Sequence, residues 1–275
     1  MKRPSRKRPS RHQAKKSQRP SPKAVARAQA RDARTEQHAP RNPARPKPRP
    51  GAQKWAPTKE SMVEMLSRCG IGLDDKQVER LWAYHNLVRK RNQDQELTRL
   101  IGFETIVMKH YVDSMIVGDL FPLPSPIVDI GTGAGFPGIP LKIRFPKLEL
   151  ILAEPRPKRV KFLQEAIKVL GLNNTSIFPH RVVSRSFQQP VKGVITRAVE
   201  TMDKTLARTS ACVQEGGFVI FMKGPNCGAE IKDCKSRFKK QYKVIHSERY
   251  SLPGTPHERR LVVWERLLPP EIPKD

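Results

Sequence analysis

The chain has 275 residues, room for one large domain or one and a half, and carries 53 Lys and Arg against 26 Asp and Glu, a formal charge of +27. That excess predicts attraction to polyanions, nucleic acid first and anionic membrane second. No window holds the roughly 18 apolar residues of a membrane span, and the first residues lack the apolar core of a secretory signal, so neither a membrane-spanning nor a secreted protein is expected.

Residues 1–57 hold 18 Lys and Arg, ten prolines, a single aromatic (Trp55) and two acids, Asp32 and Glu36. Such a stretch cannot bury enough apolar surface to offset the entropy of ordering it, so residues 1–56 are expected to form a disordered basic arm. It reads as an electrostatic tether to RNA or as a solvated tail with no specific partner. An Arg-rich, acid-poor arm also suits an organelle transit peptide, but its prolines argue against an amphipathic helix and set that reading second to a cytoplasmic protein.

Residues 57–121 are expected to form a small helical subdomain. Thr58 or Ser61 can cap a first helix carrying Met62, Met65 and Leu66 on one face, ending near Gly70 or Gly72. A second follows Asp74-Asp75, with Val78, Leu81, Trp82, His85 and Val88 at helical spacing. A polar stretch, RKRNQDQELT, separates it from a third helix, Phe103 to about Leu120.

From Pro122 to residue 275 short apolar runs alternate with helical segments. Strands are expected at Ile127–Ile130, Leu148–Ala153, Ser176–Phe178, Gly193–Thr196 and Phe218–Met222, then Tyr242–Tyr250 and Arg260–Glu265 as an antiparallel pair. Helices are expected at Ile139–Arg144, Lys158–Leu170, Thr201–Cys212 and Ala229–Lys239. This alternation implies an α/β fold, a mainly parallel sheet with helices on both faces. The four cysteines (Cys69, Cys212, Cys227 and Cys234) form no CxxC pair and have no histidine at zinc spacing, so neither a disulfide nor a metal is expected.

The chemistry-bearing segment is Ile127-Val-Asp-Ile-Gly-Thr-Gly-Ala-Gly-Phe-Pro-Gly138, which follows a strand and opens a helix. Gly131, Gly133 and Gly135 let the backbone turn sharply and approach a ligand. Glu154 ends the next strand about 20 residues on, where a carboxylate can accept both hydroxyls of a ribose. The run Gly133–Gly138 matches GxGxxG, as a nucleotide-dependent oxidoreductase binding NAD(P) would require. Asp129, just before the first glycine, instead suits S-adenosyl-L-methionine, whose ammonium and sulfonium are cationic and which carries no phosphate. A Rossmann-like class I methyltransferase is the favoured reading of this segment.

Six ordered motifs then identify a family. VDIGTGAGFPGIPL resembles the signature of the RsmG (GidB) family, which methylates guanine N7 in bacterial small-subunit ribosomal RNA. His110-Tyr-Val-Asp113-Ser114 resembles its HxxDS, Lys158–Leu163 its KRxxFL, and Gly193–Ala198 its GVxSRA. Met222-Lys223-Gly224 resembles its strand-end KG, and Arg260–Val263 its closing strand. The resemblance covers roughly residues 60–266.

It implies that Gly131 and Phe136 line the methionine and ribose side of the cofactor and that Glu154 holds the ribose. Val182 and Val183 would approach the adenine through backbone groups. Arg197 would lie between cofactor and target base, with Lys223 and His110 at the same rim, and Asp113 would serve there or in helix packing. The product would be S-adenosylhomocysteine. The implied target is the 530 loop of 16S rRNA, free or in the small ribosomal subunit, and the implied enzyme is a monomer.

Two positions depart from the family's WNxxxNLT stretch. Arg91 stands for the tryptophan and Glu96 for the second asparagine. Val183 also replaces an acidic residue. A non-catalytic RNA-binding or ribosome-associated relative is therefore the alternative to an active enzyme.

Overall fold

The computed structural model describes residues 55–184 and 186–270. The expected basic arm lies outside the described residues. Helix α1 (Lys59–Arg68) starts where the Ser61 N–H donates to Thr58 Oγ1 at 3.1 Å. Helix α2 (Asp75–Gln95) starts on a reciprocal cap: the Gln77 N–H donates to Asp74 Oδ1 at 2.8 Å, and the Asp74 N–H donates to Gln77 Oε1 at 2.9 Å. It runs seven residues into the stretch expected to be a polar connection, because Arg91 forms a two-pronged pair with Glu165 (2.9 and 2.6 Å) that holds this turn.

The expected third helix is broken into α3 (Phe103–Ile106), a π-helical segment (Val107–Val112), α4 (Asp113–Met115) and α5 (Val117–Leu120). Strand β1 (Ile127–Ile130) leads through the glycine loop into α6 (Gly138–Arg144). β2 (Leu150–Ala153) is followed by α7 (Pro157–Leu170), which has proline in its first turn and stops at Gly171. β3 (Thr175–Phe178), β4 (Val191–Arg197), α8 (Met202–Thr209), β5 (Val213–Lys223), α9 (Gly228–Arg237), β6 (Tyr242–Ser251) and β7 (Glu258–Arg266) complete the chain.

α8 is shorter than expected and β5 longer. β5 starts at Val213 and shifts register against β4 between Val191 and Gly193, with left-handed Gly216 (φ 71°) in the irregular stretch.

The sheet has seven strands in the order β3-β2-β1-β4-β5-β7-β6. β1 pairs in parallel with β2 and β4, while β7 runs antiparallel to both β5 and β6. Alternation along the strands separates two cores. Ile127, Leu152, Ile195 and Val263 face α6, α7 and the helices before β1. Val128, Val194, Phe221 and Trp264 face α8 and α9. Helices thus cover both faces of a Rossmann-like sheet, and the buried residues of α1 and α2 join the same cluster as one sheet face. No helix among the described residues is long and apolar enough to cross a membrane.

Candidate functional site

The strand order reverses between β1 and β4, and in open parallel sheets the crevice at the carboxyl ends beside such a reversal is the usual ligand position. Here that crevice has two lobes. The first, about 420 Å³, is bounded by Glu154, Arg159, Arg181, Val182, Glu200 and Arg208. The second, about 440 Å³, is bounded by Thr98, His110, Asp113, Phe136, Lys223 and Arg259. Gly131, Arg197 and Ala198 line both and form the junction.

The glycine loop needs its glycines for two different reasons. Gly131 has φ 67°, and a Cβ there would meet Val199 Cγ2 at 2.6 Å, so the lobe junction can only be bare backbone. Gly135 has φ 101° and borders neither lobe; its absent Cβ makes room for Ile139 and the Tyr84 hydroxyl. Gly133 lines the second lobe and donates its N–H to Glu154 Oε2 at 3.1 Å.

Asp129 is fully buried and lines neither lobe. Its Oδ2 accepts the Thr132 hydroxyl at 2.5 Å and the Gly138 N–H at 2.8 Å, which ties the glycine loop to the start of α6. Burial pushes its carboxyl up to about 6, and the bonds from Thr132 and Gly138 pull it only partly back. The structure places Asp129 beneath the loop rather than on either lobe wall, with Oδ2 bonded to the loop and Oδ1 buried without a hydrogen-bond partner among the described residues. Glu154 does reach the first lobe. Its Oε1 accepts the Arg156 N–H at 3.0 Å, and Oε2 lies 3.6 Å from Arg159. Val182 is buried on the lobe wall. Val183 is 52 % exposed and off the wall, and both its backbone groups are taken, its N–H by Ser186 Oγ and its carbonyl by the Cys212 thiol.

At the junction Arg197 donates to the Lys109 carbonyl (2.9 Å), Asp113 Oδ2 (3.2 Å) and His110 Nδ1 (3.0 Å), with its guanidinium 5.6 Å from the Phe136 ring centre. Arginine has no acceptor, so His110 Nδ1 accepts and the ring proton sits on Nε2, donating to Thr98 Oγ1 at 2.9 Å. The imidazole stacks on Phe136 at 4.1 Å between centres. Burial, followed by the charge of Arg197, pushes His110 down to about 3, so it is neutral at physiological pH. Asp113 is also buried, accepting the Tyr250 hydroxyl at 3.1 Å and lying 3.5 Å from Arg259. Lys223 reaches the second lobe from the end of β5, paired with Glu230 at 2.9 Å.

Arg197, His110, Phe136, Lys223, Gly131 and Gly133 therefore converge on one cavity, and Glu154 and Val182 on its neighbour. Glu200, Arg208 and Tyr250 are contributions that sequence reasoning missed, because their partners are distant in the chain and no motif marks them. Ala198, at the junction with φ 54°, carried a signal only as the last residue of GVITRA. The four cysteines are free, and among the described residues no group of His, Cys, Asp and Glu is arranged to hold a metal ion.

The sequence model of the family described as GidB, rRNA small subunit methyltransferase G, matches residues 77–261. The chain is 47 % identical over 215 residues to ribosomal RNA small subunit methyltransferase G 2 of Syntrophobacter fumaroxidans, a match covering 78 % of this chain and 43 % of that protein. It thus spans less than half the length of that relative. It is 39 % identical over 217 residues to the protein of the same description from Bdellovibrio bacteriovorus, covering 78 % of this chain and 85 % of that one. Ribosomal RNA small subunit methyltransferase G of Carboxydothermus hydrogenoformans is 33 % identical over 208 residues, 72 % of this chain and 87 % of that protein.

Proposed function

The chain belongs to the GidB family of small-subunit ribosomal-RNA methyltransferases, and on that premise we propose that it transfers a methyl group from S-adenosyl-L-methionine to guanine N7 in the 530 loop of 16S rRNA. The observation that carries this reading is the pair of lobes meeting at Gly131, Arg197 and Ala198. One lobe holds the donor, the other the acceptor base, and the transferred carbon passes at the junction.

The first lobe suits an adenosyl group. Glu154 offers a carboxylate to a vicinal diol, Val182 an apolar wall, and Gly131 a backbone surface that a side chain would block. Bound there, S-adenosyl-L-methionine supplies a methyl carbon activated by its sulfonium and open to in-line displacement. Guanine N7 has an exposed lone pair and no proton, so the protein needs no general base. His110 agrees with this, being neutral with both ring nitrogens engaged. The work left to the side chains is positioning, which can remove on the order of 7–11 kcal/mol from a barrier. Arg197, fixed by Asp113 and His110, orients the base or cofactor. Lys223, fixed by Glu230, borders the acceptor lobe. A guanine there must come from a loop or be turned out of its stack.

The alternative of an NAD(P) oxidoreductase is disfavoured by the helix start. A pyrophosphate would need the N–H groups opening α6, and the Gly138 N–H is already given to the Asp129 carboxylate. A non-catalytic relative would be favoured if the departures from the family pattern entered the site. Arg91 instead binds Glu165, and Glu96 borders neither lobe.

Titration calorimetry with S-adenosyl-L-methionine, S-adenosylhomocysteine and NADH tests the cofactor assignment. Binding of both adenosyl ligands and none of NADH is expected, with Glu154→Gln weakening both by roughly tenfold through loss of a charged ribose acceptor. Binding of NADH alone would refute the assignment.

A further inference from the structure

A third cavity adjoins the two lobes. It is the largest of the clefts described, about 710 Å³, and lies between the loop after α2 and the start of α7. It shares Leu97 and Thr98 with the acceptor lobe, and Arg156 and Arg159 with the donor lobe. An occupant of the cleft therefore passes directly across the mouth of the site.

Its walls are basic. Arg99, Arg156, Lys158 and Arg159 face one acid, Glu96. Arg159 is partly neutralised by Glu154. Arg99, Arg156 and Lys158 are exposed, and none has an ion-pair partner among the described residues. Exposed cations without an ion pair among the described residues also occur elsewhere, Lys239 and Lys240 among them; the cleft differs in gathering three of them on the wall of one cavity. Three unpaired cations around one cleft form a site of positive potential for a polyanion. The remaining wall is Asn92, Gln95, Leu97, Thr98 and Pro157, where Gln95 Oε1 is buried without a hydrogen-bond partner among the described residues, Asn92 Oδ1 accepts the Thr98 N–H, and Thr98 Oγ1 is held by His110 and Leu100.

Resting on the reading of the neighbouring lobes as a methyl-transfer site for RNA, we propose that this cleft is the track for the phosphodiester backbone of the nucleotides flanking the methylated base. A base seated in the acceptor lobe leaves its sugar and phosphate outside, and the cleft that shares Thr98 is where the strand continues. Thr98 Oγ1 also holds His110, and through it Arg197, so a seated strand touches the same chain of contacts that orders the junction. Arg99 and Lys158 belong to the cleft alone, which makes them the residues to change.

The test uses the full chain and a single-stranded RNA oligonucleotide carrying the 530-loop sequence. Affinity is measured across salt for wild type, for Arg99→Ala/Lys158→Ala, and for Lys239→Ala/Lys240→Ala, which removes the same charge near the start of β6, at the far end of the sheet. The cleft variant is expected to bind on the order of tenfold more weakly at about 0.1 M salt, with a salt slope shallower by about 1.4, since each phosphate contact on a single strand contributes about 0.7. Its affinity for S-adenosylhomocysteine should match wild type. An unchanged slope, or an equal loss in the β6 variant, would overturn the track. Absence of any methyl transfer to RNA by the wild type would instead overturn the underlying reading, and the track with it.

Discussion

Arg197 is held on three sides, by a main-chain carbonyl, a buried carboxylate and a neutral imidazole, and its remaining edge is left to the cavity. Arg197→Ala should therefore lower turnover on the order of 100-fold, the loss typical of a misplaced reactant. The fold should survive, because Asp113 keeps Tyr250 and Arg259; comparing kcat with the urea midpoint separates the two effects. The titrating groups make a second prediction. His110 and His85, pushed down to about 3 and about 4 mainly by burial, bind fewer protons folded than unfolded, so stability is lost as pH falls below their ordinary value of 6.5. Asp129, pushed up to about 6, acts the other way, gaining stability as pH falls through that value. His110→Asn should therefore lose less stability than wild type between pH of about 7 and about 4.5, read from urea midpoints, and an identical loss would rule out a buried neutral His110. A third prediction concerns Glu96, which adopts φ 48° and ψ 47° at the end of α2. Glu rarely takes that conformation, whereas Asn does so readily, so Glu96→Asn should raise stability by up to about 1 kcal/mol in a thermal or urea melt. The convergence of Arg197, Lys223, His110 and Glu154 on the crevice was legible from their motifs. The inward turn of Asp129 was not, because a carboxylate before a glycine loop reads the same whether it faces a ligand or caps the loop from below.

The elements that alternation marks cleanly, β1, α6, β2 and α7, lie within two residues of their expected bounds, since apolar runs and glycine or proline stops agree there. Phe162, fully buried on α7 against the sheet, makes that agreement testable: Phe162→Ala should cost about 3–5 kcal/mol in denaturant unfolding. A loss below 1 kcal/mol, roughly the worth of one buried methylene, would contradict its place in the core. Elements that sequence missed owe their form to distant partners. The π-helical turn at Val107–Val112 presents Lys109 and His110 to Arg197, and no local pattern distinguishes it from α-helix. The last turn of α2 is held by Glu165, 74 positions away from Arg91. Strand β5 begins before its apolar run because Val213 pairs with Val191 ahead of the irregular Gly216-Gly217 stretch, beyond which the pairing resumes at Phe218.

For the whole molecule, the order β3-β2-β1-β4-β5-β7-β6 with β7 reversed puts the glycine loop, Glu154, Arg197 and Lys223 at one edge of the sheet. Strand and helix alternation implied that sheet, but not how its ends converge. Charge belongs to this scale too. Residues 1–57 carry +16 of the +27, so deleting residues 1–56 should weaken RNA binding and flatten its salt dependence while leaving S-adenosylhomocysteine affinity unchanged. An unchanged salt slope would assign RNA binding to the folded part alone. The central claim is most directly tested by incubating the protein with S-adenosyl-L-methionine and small-subunit rRNA, digesting the RNA to nucleosides and measuring them by mass spectrometry. One added 7-methylguanosine per RNA, mapping to the 530 loop and lost with Arg197→Ala, is the predicted result. No methylated nucleoside on free rRNA or on assembled subunits would contradict it.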